Sequence, residues 1–482
     1  DILDLTICDP ACGSGAFLTA ATDYLGDRLA KIREGSDYPS PEAKAEARRD
    51  VVQDCIYGVD MNPLAVELAK VSLWIKSAVS DKPLNFLDHR IRCGNSMIGA
   101  DAELVGGEFP VDVYETSGGE DWHDGNDVRA TVRKQNKARS RGSNDRSLSN
   151  WSSDQRALAD SVSTINDIDD VTVENIQMKE TLYDEFRDTP EFEREKLVRD
   201  VWTAAAYWPM DGSSGAYPTP DTLDKIRRNP DPEDEQLQQT IDLAKELSST
   251  QGFFHWDIEF PEIFLGNSDG FDVILGNPPW EKPKINEKEW FTGKHRAIAQ
   301  TDSQNKRQEL ISDLEDSNPE LYEAFQKAQT RVSQLTDFLR NSEKYPLSGR
   351  GDINTYPIFT ELCADRLVAS DGRVGLVVKT GIATDWGTRQ LFGEFVDGDR
   401  IVSLHDFENT NGIFEDVERN ERFCLLTIAG SATTIEEGEF SFHNQEIEDL
   451  TSGRRVYTMS IEDFRLVNPN TKNCPTFRNT SI

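Results

Sequence analysis

Apolar and polar positions along this chain follow two periods. Seven runs read as strands: residues 3–8, 55–59, 90–94, 271–276, 372–378, 400–407 and 423–429. Most are continuous apolar stretches rather than alternating ones, the pattern of strands covered on both faces. Helical spacing follows several of them, over 16–34, 63–79 and 355–370. This alternation predicts an α/β chain with a doubly wound, seven-stranded, mostly parallel sheet. Only the polar stretch "NTNGIFEDVERNER" separates the sixth and seventh runs, which predicts an antiparallel pair at one edge.

Two stretches break the rhythm. Residues 110–250 hold a Gly/Ser/Asn-rich part and then helical periodicity, and residues 284–345 again read as helical and polar. Both are expected to be large helical insertions at loops of the sheet. The chain then divides into 1–109, 110–250, 251–430 and a mixed tail, 431–482. It opens at Asp1, almost inside a strand, as the middle of a longer protein would.

Composition changes the picture in three ways. No apolar run is long enough to span a bilayer and no signal peptide opens the chain. The seven cysteines are scattered, with no CxxC pair and no Cys/His cluster. That predicts free thiols, a reducing cytoplasmic setting, no membrane and no metal. The net charge is −35, which repels phosphate. Of the 52 basic residues only 20 are Lys and 32 are Arg, so the acid-rich composition resembles that of a halophile. Molar salt screens the repulsion within a few ångström, and local charge becomes the informative quantity. Residues 129–146, "RATVRKQNKARSRGSNDR", carry Arg129, Arg133, Lys134, Lys137, Arg139, Arg141 and Arg146 against one acid, Asp145. This segment is expected to contact a phosphate backbone.

The first chemical signal is "DPACGSGAF", Asp9–Phe17, between a strand and a helix. Gly13 and Gly15 allow a tight turn and close approach of backbone to a ligand, and the helix N-terminus points its N–H groups there. Ligands of open α/β sheets bind at the carboxyl ends of strands. The loop is not a Walker A loop and not a full GxGxxG. The second strand ends in Asp60, where an acid can accept from both ribose hydroxyls, followed by Met61, which can pack on an adenine ring. Asn95 and Ser96 follow the third strand, where polar groups can read an adenine edge or simply form a turn. With an adenosyl site and no phosphate-binding lysine, S-adenosylmethionine is the expected cofactor.

The second signal is "FDVILGNPPWEKP", where a strand ends in Asn277, Pro278, Pro279 and Trp280. Proline cannot join a sheet ladder, so a stop signal is the plain reading. Chemistry offers another. The exocyclic amino group of a base is a poor nucleophile, because its lone pair is delocalised into the ring. Two acceptors aimed at its N–H bonds, the Asn277 side-chain oxygen and the Pro278 carbonyl, would localise that lone pair. Two prolines stiffen the backbone, and Trp280 offers a face for a base turned out of the duplex.

"DPACGSGAF" followed by "NPPW" resembles the gamma class of DNA amino-methyltransferases, which make N6-methyladenine. "IYGVDMNPLAVELAKVSLW", "RCGNSMIG", "FFHWDIEFPEIF", "GDINTYPIFTEL", "GRVGLVVKTGIATD" and "NPNTKNCPTFRN" are similar to stretches of the large methylases of type IIG restriction–modification and of BREX- and DISARM-like phage-defence systems. The resemblance implies a Rossmann-like methyltransferase fold and transfer of a methyl group from S-adenosylmethionine to adenine in double-stranded DNA. It implies Asn277, Pro278, Pro279 and Trp280 as catalytic, and Asp9, Ala11, Gly13, Gly15, Phe17, Asp60, Met61, Asn95 and Ser96 as cofactor-binding. On that basis 1–109 is the cofactor-binding half, 251–430 the catalytic half and 431–482 the start of a target-recognition region. A helical or nuclease region is expected before Asp1, with other restriction or defence subunits as partners. Lys379 stands where relatives often carry Pro. N4-cytosine, RNA or a protein glutamine remain alternative acceptors, as does a non-catalytic DNA-binding subunit.

Overall fold

Ile7 and Cys8 are neighbours in the chain, yet they enter different hydrophobic clusters on opposite sides of one sheet. That is why the strand runs are continuously apolar: successive side chains point to opposite faces, and both faces are covered. A computed structural model describes residues 2–475, apart from 116–121, 143–146, 210–214, 267, 416, 452–455 and 469–472. Its strands are β1 (Ile7–Asp9), β2 (Ile56–Asp60), β3 (Ile91–Cys93), β4 (Phe271–Gly276), β5 (Val368–Lys379), β6 (Ile401–Glu408), β7 (Arg422–Ala429), β8 (Glu437–Asn444) and β9 (Tyr457–Ser460). They form one sheet in the order β3-β2-β1-β4-β5-β7-β6-β8-β9.

Each of the seven expected runs holds a strand, although the first run, 3–8, opens in the 3-10 helix Ile2–Asp4 and becomes β1 only at Ile7, and the sheet has nine strands, which corrects the count of seven. Strands β1 to β5 pair in parallel. Strand β7 lies antiparallel to both β5 and β6. The β6–β7 pair is therefore antiparallel as expected, yet it is not an edge, because β8 continues beyond β6 and β9 beyond β8. The fifth strand also starts earlier than its sequence run. The helix Thr355–Leu362 runs on as a π-helix, Cys363–Leu367, which ends just short of residue 370, and β5 begins at Val368.

Helices α1 (Ala16–Glu34), α2 (Pro41–Asp54) and α3 (Pro63–Ser77) cover one face of the sheet through Leu18, Leu25, Val51, Val52 and Leu73. The other face is covered by helices from between β3 and β4, with Leu197, Val201, Trp202 and Ile241 buried there, and by Phe338, Ile358 and Phe359. The chain from 284 to 345 is helical and has a small core of its own around Phe291, Ile298, Ile311, Leu314 and Phe325. Among the described residues no helix is long and apolar enough to cross a membrane, and all seven cysteines are free thiols.

Candidate functional site

Strand β1 lies between β2 and β4, so three loops leave the same sheet edge side by side. Register pairs Ile7 with Val273 and Cys8 with Ile274, which brings the glycine loop beside the Asn277 turn. The two approach closely: a Cβ built on Gly276 would come 2.6 Å from Asp9 Oδ1. A side chain at the end of β4 would have to displace the Asp9 carboxylate, which occupies that space.

The glycine loop is held by two carboxylates. Asp9 ends β1, and its Oδ1 accepts the Ala11 N–H at 3.0 Å. Asp60 ends β2; its Oδ2 accepts the Gly13 N–H at 2.9 Å and its Oδ1 the Asn62 N–H at 2.9 Å. Gly13 and Gly15 have φ of +53° and +82°, in the left-handed region, and Gly15 caps α1. A Cβ on Gly13 would face open space, so the loop leaves room beside its own backbone. Asp9 is 2% exposed. Burial pushes its carboxyl up to about 7, the Ala11 N–H opposes this and the Asp60 charge adds to it.

The other residues expected at the cofactor site differ in what they do. Ala11 and Phe17 are half-buried, and Phe17 packs in the cluster that also holds Trp280. The Met61 side chain is 68% exposed on the same edge. Asn95 and Ser96 are buried. Asn95 Oδ1 accepts the Met97 N–H at 3.2 Å, and the Ser96 hydroxyl donates to the Pro10 carbonyl at 2.6 Å. Ser96 thus ties the end of β3 to the glycine loop.

At the second motif Asn277 is exposed, Pro278 buried, Pro279 exposed and Trp280 half-buried. No hydrogen bond within the described residues uses the Asn277 side chain or the Pro278 carbonyl. The backbone that carries them is fixed from the far side. Thr355 Oγ1 donates to the Pro279 carbonyl at 2.6 Å and accepts the Glu281 N–H at 3.1 Å, while the Thr355 N–H donates to the Glu281 carbonyl at 2.9 Å. Trp280 is fixed as well. Its Nε1 donates to the Val377 carbonyl at 3.2 Å, and its ring lies 6.2 Å from Phe423 and 6.0 Å, edge-on, from Phe414. The buried Asn409 side chain holds the loop bearing Phe414: it donates to the Phe414 and Val417 carbonyls and accepts the Phe414 N–H.

Sequence reasoning missed Thr355, Phe414 and Phe423. Asn-Thr before a helical run is a capping signal, and Asn354 does cap the helix of Thr355. Nothing in the sequence announces that the hydroxyl reaches back 76 residues.

The basic segment is partly paired within the fold. Arg129 pairs with Asp112 at 3.0 Å and Glu115 at 3.7 Å, and Arg139 pairs with Asp224 at 2.5 Å. Two of the seven cations are therefore neutralised by acids distant in sequence. Arg133 and Lys134 are exposed on the helix Trp122–Gly142. Asp145 and Arg146, and the side chain of Arg141, lie outside the described residues.

Two loops, a carboxylate pair and an aromatic turn at one edge of a parallel sheet define an α/β enzyme-type site. The profile of the Eco57I restriction-modification methylase family matches residues 54–333, more than half of the chain, and the profile described as MmeI, DNA-methyltransferase domain, matches residues 1–92. The chain belongs to the Eco57I restriction-modification methylase family. A 116-residue stretch is 31% identical to the type II restriction enzyme and methyltransferase RM.Eco57I of Escherichia coli, covering 20% of this chain and 12% of that protein. The matched stretches span only 9% and 12% of two curated relatives. Among solved structures, the DrdV–DNA complex aligns with 91% of this chain and 24% of its own at 12% identity, TM-score 0.34. The ATP-dependent Type ISP restriction-modification enzyme LlaBIII, bound to DNA, aligns with 92% and 18% at 10% identity, TM-score 0.36.

Proposed function

We propose that this chain is the methyl-transfer part of a restriction-modification DNA methyltransferase, acting on the N6 amino group of an adenine turned out of the duplex. The observation that carries the reading is the adjacency of the two motifs: the Asp9 carboxylate abuts Gly276, directly before Asn277. A ligand on the glycine loop then meets whatever Asn277 holds.

The residues at the loop fit S-adenosylmethionine. The polar groups are two carboxylates, which accept, and backbone N–H groups, with no Lys or Arg from Asp9 to Phe17, which suits a cation with hydroxyls better than a pyrophosphate. Asp60 Oδ1 and Oδ2 each accept one N–H, and each keeps a second lone pair for a ribose hydroxyl. Asp9, buried and without a cationic partner, gains most from a positive ligand. When bound, this cofactor supplies a methyl group on an electrophilic sulfonium.

The chain does the rest by orientation. Asn277 Oδ1 and the Pro278 carbonyl accept the two N–H bonds of the target amino group and turn its lone pair toward the cofactor side. Thr355 holds the Pro279–Glu281 backbone so that these acceptors keep their aim. Trp280, backed by Phe423 and Phe414, receives the face of the base.

The test is Asn277→Ala in the full-length protein, with labelled S-adenosylmethionine and digested DNA. Transfer should fall at least a hundredfold while cofactor affinity stays within about twofold, and the wild-type product should be N6-methyladenine. Near wild-type turnover in the variant would remove Asn277 from the chemistry. N4-methylcytosine in the digest would move the reading to that base.

A further inference from the structure

The turn that leaves β5 carries an aromatic that methyl transfer itself does not use. Strand β5 runs parallel to β4, so Lys379 ends it at the edge where Asn277 lies. Seven residues on, Trp386 is 67% exposed. One face of its indole is backed by the Arg389 guanidinium, 3.8 Å from the ring centroid, and Arg389 Nη1 donates to the Trp386 carbonyl at 2.6 Å. The turn abuts the target motif through the helix that starts at Thr355. Thr355 holds the Pro279 carbonyl, and a Cβ on Gly381 would come 3.0 Å from the Tyr356 hydroxyl and 2.5 Å from Asp385 Oδ2. Asp385 directly precedes Trp386.

Charge points the same way independently. Among the described residues no carboxylate forms an ion pair with Arg389, with Arg350, which donates to Gln390 Oε1 at 3.1 Å, or with Arg340, which donates to the Gly351 carbonyl at 3.1 Å. The neighbouring acid Asp352 is already matched by Lys282 and Lys284. In a chain with 87 acids and 52 bases, these three arginines lack a direct ion pair among the described residues, although the Asp337 carboxylate senses the Arg340 charge, and Arg350 is tied through Gln390 to the helix that carries Arg389.

We propose that Trp386 stacks on the base left exposed in the duplex when the target base turns out, with Arg389, Arg350 and Arg340 on the flanking phosphates. The inference rests on the DNA methyl-transfer reading above. Turning a base out loses its stacking, and an aromatic face restores part of that loss whatever the sequence. The guanidinium behind the indole holds the ring plane outward by a cation–π contact.

The experiment uses the full-length protein and a duplex with 2-aminopurine at the position the wild type is found to methylate. Trp386→Ala should lower the turned-out fraction and the single-turnover rate about tenfold, the scale of one lost stack. Trp386→Phe should stay within about threefold of wild type, with cofactor affinity unchanged in both. Arg389→Gln should flatten the slope of log affinity against log salt by about 0.9, one phosphate. Equal fluorescence and rate in Trp386→Ala and wild type would overturn the proposal. So would equal losses in the Phe and Ala variants together with an earlier thermal transition, because Trp386 would then only support the turn. If the wild type methylates no DNA, the underlying reading fails. If it methylates and Trp386→Ala is indifferent, only this inference falls.

Discussion

Replacing Asp9 by Asn should make the protein more stable and worse at holding its cofactor. The carboxyl is 2% exposed and is pushed up to about 7, well above the ordinary carboxylate range near 3.8. Burial is the main cause, opposed by the Ala11 N–H and reinforced by Asp60. The folded protein therefore binds more protons than the unfolded chain between about pH 4 and pH 7. Stability falls as pH rises through that window, and the full penalty stands above it. Three pK units at 1.36 kcal/mol each give about 4 kcal/mol as an order of magnitude. Asparagine keeps the oxygen that accepts the Ala11 N–H and removes the charge. Urea unfolding of Asp9→Asn and wild type should coincide near pH 4 and diverge toward pH 8, with the variant the more stable. A cationic cofactor relieves the same penalty, so its binding to the wild type should release protons below pH 7. Calorimetry in buffers of different ionisation enthalpy reads that release, and Asp9→Asn should abolish it while weakening affinity at least tenfold. Parallel stability profiles for the two proteins across pH 4–8 would refute the reasoning.

Thr355→Val keeps the shape and removes the hydroxyl between the Pro279 carbonyl and the Glu281 N–H, so single-turnover methylation should fall about tenfold, the scale of one lost bond, with cofactor affinity unchanged. An unaltered rate would release Thr355 from any role in aiming the acceptors. Trp280→Phe should retain most activity per folded molecule, whereas Trp280→Ala should lose both activity and about 2 kcal/mol of stability, because the ring is half-buried against Phe423 and Phe414. Losses of stability alone, by urea unfolding against rate, would make Trp280 purely structural. Lys344 is 4% exposed beside a small cavity of about 30 Å³, and burial lowers its pKa to about 7. The unfolded chain then binds more protons between pH 7 and 10.5, so stability rises with pH in that window. Lys344→Met should stabilise the protein by a few kcal/mol at pH 7, less the unpaired Gly99 carbonyl, and the gain should shrink toward pH 10. A gain that does not change with pH would contradict this.

How far the sequence could be read follows from which contacts are local. The seven strand runs were legible because both faces of the sheet are covered, and burial on both sides writes itself as an unbroken apolar stretch. Strands β8 and β9 were not legible. In "EGEFSFHN" only Phe440 and Phe442 alternate, among Glu, Gly, Ser, His and Asn, and the buried Ser441 and Asn444 carry no apolar signal. Their burial depends on a polar network around Asp406, which accepts from Thr380, Arg422 and the His443 N–H. The early start of β5 was hidden for another reason. "VASDGR" reads as a turn, yet Gly372 packs directly on the Asp272 carbonyl at a bulge of the β4–β5 ladder.

The site divides along the same line. Glycines with positive φ, an acid at a strand end and a proline pair are demands of the local backbone, so they appear as motifs within a few residues. What fixes those motifs comes from afar. Ser96 meets Pro10 across 86 residues and Thr355 meets Pro279 across 76. Arg139 meets Asp224 across 85, which is why the basic run looked more cationic in sequence than it is in the fold. A cluster of like charges in sequence is thus a poor guide to field in a chain this acidic, because acids from elsewhere can fold onto it. Arg340, Arg350 and Arg389 form no run, yet hydrogen bonds link their segments, because Arg350 donates to Gln390 Oε1 and Arg340 to the Gly351 carbonyl.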